Sequence, residues 1–331
     1  MTMWVLAAIA IAASYFAERV QTSLQLATAR QSMNDGQIAL SDARADMLFR
    51  LATTPLTPYG LGNPPVAVAL DGRPYRTGAT LVQLQDGQGL FNLSAFGDDQ
   101  MQRFLATLGV PAEQRASLID TLRDYTDADD LRRLNGAESS QYKERGLLPP
   151  TNAALMSPIE LRQIIGWRDT PVLWQQSAQL LDLVNTDARA GINPNTAPWQ
   201  VLTSLPGVTK DIAKAIIDRR NIAPVSVALL DQMLGTQMDG AMVLATASPS
   251  GTVRVSQSAS GLPWVLRYNL VLTPDGLSAP WTVQHFYRLE KKDAAQAPSS
   301  PDPQNLLNVI DPPILPPRLA LAASSPPSAA K

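Results

Sequence analysis

Four acids fall within seven residues, Asp124-Tyr-Thr-Asp127-Ala-Asp129-Asp130, and Asn135-Gly136-Ala137-Glu138 follows. Carboxylates at this density, then a glycine turn and another acid, suit a hard cation that takes about six to eight oxygen ligands, as calcium does. The spacing is not that of an EF-hand loop, because the glycine and the final glutamate fall at other offsets. The same residues also read as a solvated acidic helix end, with Arg123, Arg132 and Arg133 as partners. Paired carboxylates can serve a hydrolase, but nothing else in the chain reads as a substrate cleft.

A second constellation is Ile192-Asn193-Pro194-Asn195-Thr196-Ala197, then Leu205-Pro206-Gly207-Val208, then a helix over 209–220. Asn195 or Thr196 can cap a helix, and Leu-Pro-Gly-Val makes a tight turn between two helices. This resembles the helix-hairpin-helix of DNA-binding proteins, whose backbone N–H groups face a phosphate. Lys210, Lys214, Arg219 and Arg220 would supply charge, while Asp211, Asp218 and the absence of a second glycine after Val208 count against it. The competing reading is a packing unit of Leu202, Leu205, Val208, Ile212, Ala215 and Ile216. The single histidine, His285, lies in a strand pattern with Val283 and Tyr287 on its face, and reads as structural.

Composition narrows the classes. The chain has 331 residues with a net charge of -2, so it makes no global electrostatic bid for nucleic acid. The absence of cysteine removes disulfides, thiolate zinc sites and cysteine nucleophiles. These features lead to no catalytic assignment.

The elements that must position these groups start with the N-terminus. Met1 to Ala17 carries no charged side chain, and the first are Glu18 and Arg19. As a helix this stretch would be roughly 25 Å long, a little short of a hydrocarbon core of about 30 Å. It could be a signal peptide without a basic n-region, a buried helix, or a membrane-anchoring helix that continues outward. Ala17, Val20, Leu24 and Ala27 extend one apolar face and favour the last. The pattern weakens through Met33-Asn34-Asp35-Gly36, resumes at Met47, Leu48 and Leu51, and stops before Pro55 and Pro58. Strands are expected at 66–70, with a turn at Asp71-Gly72, and at 80–85, 253–255, 264–272 and 281–289. Between them lie short helices from about Ser94 to Met242, one of them starting at Ser157-Pro158. The arrangement predicts an α+β fold: a type IV pilin-like domain (long N-terminal helix plus antiparallel sheet) with a large inserted α-helical domain. The expected divisions are a helix at 1–55, a sheet domain at 56–95 and 245–290, an insertion at 96–244, and a disordered tail at 291–331. Nine of the 27 prolines fall in that tail. Leu306 to Ile310 and Ile314-Leu315 are apolar patches within it, read as residual contact with the body.

In order and combination these segments resemble minor pseudopilin K of the type II secretion system. The resemblance rests on Trp4 to Val20, Asp86-Gly-Gln-Gly-Leu-Phe-Asn92-Leu93, Asp124 to Asp130, Asn135 to Glu138 with Tyr142, Asn152 followed by Glu160-Leu161, and Ile192 to Ala197. It covers roughly residues 4 to 290. It implies an inserted domain with helix-hairpin-helix or SAM-like elements and a place at the pseudopilus tip. It also implies complex formation with minor pseudopilins I and J, and contact with subunits H and G and with secreted exoproteins. A single-pass anchor in the inner membrane would leave the bulk of the chain periplasmic, with no role for nucleic acid. The alternative is a membrane-anchored helix-hairpin-helix DNA-binding protein of competence type. Some family members bind calcium around the acidic stretch; carried over, the ligand candidates are Asp127, Asp129, Asp130 and Glu138. Family members also begin with a short basic leader ending in glycine. None precedes this apolar helix, so the expected native start lies further upstream.

Overall fold

The computed structural model describes residues 2–174, 179–186, 191–239, 243, 251–273, 276, 279–291 and 304–305. Helix α1 (Thr2–Thr53) is unbroken over 52 residues, a length of about 78 Å at about 1.5 Å per residue. Its residues 2–35 are exposed. From there Gly36, Leu40, Ala43, Met47, Arg50 and Leu51 form one buried stripe at three- and four-residue spacing. The helix is long and apolar enough in its first part to cross a membrane.

The expected weak point at Met33 to Gly36 is not a break. It is where α1 crosses the turn of a later hairpin. A Cβ on Gly36 would stand 2.5 Å from the Ser260 carbonyl oxygen, and one on Gly261 would stand 2.4 Å from that of Ser32. Glycine costs a helix interior roughly 1 kcal/mol, and close approach is what it provides in return. Gly36→Ala should therefore lower stability by about 1–3 kcal/mol despite its better helix propensity. Thermal melting would check this, and an unchanged or raised melting temperature would refute the contact.

After α1 come a small hairpin, β1 (Leu56–Thr57) with β2 (Gly60–Leu61), and then β3 (Asp71–Thr77) and β4 (Thr80–Asp86). The strand expected at 66–70 is corrected: that stretch makes only a bridge from Val68 to Leu61. The strand lies one segment later, and its turn is at Gly78-Ala79, with Gly78 at φ +55. The alternation at 66–70 reflects burial of Val68 and Leu70 beneath the sheet, which burial alone can impose without a ladder partner.

The insertion begins directly after β4. Its elements are β5 (Phe91–Asn92), α2 (Asp98–Thr107), α3 (Ala112–Thr126), α4 (Ser139–Glu144), α5 (Gln179–Leu183), β6 (Val184–Asn185), α6 (Trp199–Leu202), α7 (Lys210–Arg220) and α8 (Val227–Leu234). The chain then returns as β7 (Thr252–Ala259), β8 (Trp264–Leu272), β9 (Trp281–Glu290) and β10 (Gln304–Asn305). The main sheet runs β10-β3-β4-β7-β8-β9. Strands β4 and β7 pair antiparallel from Thr80↔Ala259 to Asp86↔Val253. The helical block is thus spliced into one hairpin, between Asp86 and Thr252.

That corrects the expected first boundary at 95/96. Phe91 and Leu93 belong to the insertion's core, where Phe91 stacks on Phe104 with ring centroids 4.1 Å apart. The return boundary expected near 244 lies outside the described residues. The segment after Ser157 is a 3-10 turn (Pro158–Gln163) rather than the α-helix expected there, with Ser157 capping the Ile159 N–H. Two cores result. One joins α1 to the sheet through Met47, Val82, Leu84, Val255 and Tyr268. The other lies inside the insertion, around Phe104, Tyr125, Tyr142 and Trp167.

The expected face of His285 is corrected too. The β8–β9 register shifts between Arg267 and Asn269, and His285 takes φ +52. The bulge reverses the phase of β9. Val283 consequently packs on the α1 side, whereas Tyr287 packs with Leu181 and Leu289 on the other. The disordered tail expected from 291 lies largely outside the described residues; within it, Gln304 and Asn305 lie parallel to Tyr75 and Arg76 of β3.

Candidate functional site

The acidic constellation is built on the end of α3. Asp124 is wholly buried there, and its carboxylate accepts from the Arg133 N–H at 3.2 Å. A Cβ on Gly136 would meet Asp124 Oδ2 at 1.9 Å, so only glycine lets the loop close over the acid. Asp120 Oδ2 accepts from the Asn135 N–H and from its Nδ2, each at 3.1 Å. Asp129 Oδ1 accepts from the Leu131 N–H at 2.8 Å. Asn152, at φ +47, donates from Nδ2 to the Asp129 carbonyl and to Asp130 Oδ1, both at 3.2 Å. Glu138 caps the start of α4, where its N–H donates to Gln141 Oε1 at 2.9 Å.

The electrostatics of this loop are unbalanced. The Glu138 side chain is only 4% exposed. Both of its carboxylate oxygens, Asp127 Oδ1 and Asn152 Oδ1 are buried without a hydrogen-bond partner. Burial, then the charges of Asp124, Asp127, Asp130 and Asp129, push the Glu138 carboxyl up to about 7. Burial also raises Asp124 and Asp127, with Asp129 adding to the effect on Asp127. The structure therefore brings all four candidate ligands, Asp127, Asp129, Asp130 and Glu138, into one electrostatic neighbourhood. Among the described residues, no three carboxylate or imidazole groups are gathered closely enough to hold a metal as they stand. The candidate set lacked Asn152 and Asp124; the glycine at 136 was the available signal that Asp124 is closely covered.

The second constellation docks the insertion onto the sheet. Asp86, at the end of β4 and 1% exposed, accepts from Asn193 Nδ2 at 2.8 Å and from Thr196 Oγ1 at 2.9 Å. The Gln88 N–H closes on Asp86 Oδ1 at 3.2 Å, and the Asn193 N–H donates to the Gln88 carbonyl at 2.7 Å. Gln85 Nε2 donates to the Thr196 carbonyl at 3.1 Å. Asn195 mimics a strand partner of Val225, accepting its N–H at 2.7 Å and donating to its carbonyl at 3.1 Å. From β7, Arg254, the cross-strand partner of Gln85, donates to the Leu181 and Asp182 carbonyls at 2.8 and 2.5 Å. Arg267 pairs with the Asp182 carboxylate. These two guanidinium groups cap the end of α5, where unsatisfied carbonyls accept cations well. Burial, then the charge of Arg267, lowers the Arg254 pKa to about 10.

The helix hairpin itself is packed as a unit. Leu202, Leu205, Val208 and Ile216 are buried, with Ile212 against them. Ala215 is exposed, and Ala213 takes the inward position instead. Of the four cations that could face a phosphate, Arg220 is turned inward. It donates to the Pro194 and Ala197 carbonyls at 3.1 and 2.5 Å and lies 3.6 Å from Asp71. Lys210 lies over the Trp199 ring at 4.7 Å.

A long, largely exposed helix seated on an antiparallel sheet, with a helical block spliced into one hairpin, is a pilin-like fold carrying an insertion. Residues 80–185, from the first residue of β4 to the last of β6, match the family model described as Type II secretion system (T2SS), protein K. A chain of the GspK-GspI-GspJ complex from the enterotoxigenic Escherichia coli type 2 secretion system aligns with a TM-score of 0.49 and 17% identity, over 82% of this chain and 99% of that one. No curated protein matches the chain.

Proposed function

We propose that this chain is a non-enzymatic minor pseudopilin of the type II secretion pseudopilus, acting in protein secretion across the outer membrane. The observation that carries the reading is the protein K match over residues 80–185, on a chain whose first helix is apolar and exposed over residues 2–35. The apolar helix would hold the subunit in the inner membrane, with the sheet and insertion in the periplasm. In the filament, the exposed stretch of α1 would pair with partner helices along a shared apolar seam. The partners in this reading are minor pseudopilins I and J, with H and G below them. In this reading the insertion between Asp86 and Thr252 would leave no room for a further subunit above it, so the chain would sit at the tip, where it would push or contact secreted proteins.

Calcium is proposed as a structural ion of the acidic loop. Asp127, Asp129, Asp130 and Glu138 would hold it, with Asn152 Oδ1 as a further oxygen. The support is chemical: partnerless buried oxygens beside several like charges are the donor set a hard cation takes. Without the cation, mutual repulsion holds such a cluster apart. Co-expression tests the assembly reading. The detergent-solubilised chain should co-purify with minor pseudopilins I and J as a defined complex, and a monomer that ignores both would overturn it.

A further inference from the structure

The C-terminal segment belongs to none of the assignments above, yet two of its residues occupy a definite place. Gln304 and Asn305 pair parallel with Tyr75 and Arg76 at the outer edge of β3. An uncovered edge strand offers a row of unpaired N–H and C=O groups to any extended chain. The two edges of this sheet are unlike. Strand β9 is broken by the bulge at His285 and carries exposed Gln284, Arg288 and Glu290, devices that blunt an edge. Strand β3 is irregular only in its first half, where the register shifts between Asp71 and Pro74. Proline cannot donate to a ladder. Tyr75 to Thr77 is the remaining regular stretch, and it is where the tail residues lie.

We infer that the β3 edge is a strand-addition site whose resident occupant is this chain's own C-terminal segment, around Gln304–Asn305. The chain length permits it. The route from β9 to the far edge of β3 spans five strand spacings in the order β10-β3-β4-β7-β8-β9, about 24 Å at about 4.8 Å each. The 13 steps from Lys291 to Gln304 reach about 43 Å at about 3.3 Å per residue. The composition matches as well. Pro301 and Pro303 precede the paired residues and Pro312 and Pro313 follow them, so a ladder is bounded on both sides. The residues between, Leu306-Leu307-Asn308-Val309-Ile310, include the β-branched types that suit a strand. Pairing in cis keeps the edge from taking an extended segment of another molecule.

Hydrogen exchange tests this on the detergent-solubilised chain, whole and ending at Ala297. Truncation should speed amide exchange within Tyr75–Thr77 by on the order of tenfold, with the β7 and β8 amides unchanged. A synthetic peptide of residues 299–311 should bind the truncated chain and restore protection, and should bind the whole chain far more weakly. Asn305→Pro in the whole chain, which keeps the tail but removes a donor, should reproduce the faster exchange. Self-association of the truncated chain that the peptide reverses would also support the inference. Unchanged exchange within Tyr75–Thr77 on truncation, or equal peptide binding by both chains, would overturn it.

Discussion

Calcium added to the metal-free chain should raise its melting temperature by about 5–10 °C. A ligand at 100 times its Kd stabilises a fold by about 2.7 kcal/mol, and each kcal/mol moves the melting point of a chain this size by about 2–4 °C. Chelator should reverse the gain. The pH dependence provides an independent signature. The Glu138 carboxyl is raised from 4.5 to about 7 by burial and the surrounding acids. Between those values the folded state binds more protons than the unfolded state, so stability falls as pH rises. The Glu138 contribution to stability is therefore greatest below about 4.5 and is lost as pH climbs through about 7. A bound cation favours the ionised carboxylate and should flatten or reverse that slope. Glu138→Gln should remove both the slope and the calcium response, and should make the metal-free chain more stable at neutral pH. A melting temperature indifferent to calcium and chelator from pH 5 to pH 8 would eliminate the site.

The second large effect is expected at Asp86. Its carboxylate takes hydrogen bonds from Asn193, Thr196 and the Gln88 backbone, groups that join the insertion to the sheet. Asp86→Ala leaves those donors buried without an acceptor, each costing about 1–3 kcal/mol. A total loss of about 3–5 kcal/mol is expected, in the range measured for broken buried polar pairs. The two cores should then melt separately, because this contact is one of the main polar ties between them. Differential scanning calorimetry would show one transition for the native chain and two for the variant. Asp86→Asn combined with Asn193→Asp restores an amide–carboxylate contact of similar size and should recover part of the loss. A single transition within about 1 kcal/mol of the native one would mean that Asp86 is a bystander.

Much of the architecture was legible from local patterns. Helix α1, the helix over 209–220 and strands β4, β8 and β9 all lie close to where their local patterns put them. Periodicity and stop signals are written into neighbouring residues, so no distant partner is needed to read them. The strand expected at 66–70 failed because burial of Val68 and Leu70 imitates a strand pattern. The face of Tyr287 failed because a single bulge residue reverses everything after it. Asn195 and Thr196 are helix-cap residue types, yet Pro198 holds the cap position of α6, and their side chains bind Val225 and Asp86 instead.

By itself the sequence determined the kinds of element, the break between sheet and helical block, the concentration of acids around residues 124–138, and a resemblance resting on the order of its motifs. Tertiary structure decided which of those residues meet. Asp86 finds Asn193 and Thr196 across more than a hundred positions, and Arg254 and Arg267 reach the end of α5 across more than seventy. Gly136 closes over Asp124, leaving Glu138 buried beside charges it cannot offset. The physical reason is one of range. Helix and strand propensities act over a few residues, whereas burial, hydrogen-bond partnership and charge coupling are set by whatever the folded chain brings alongside.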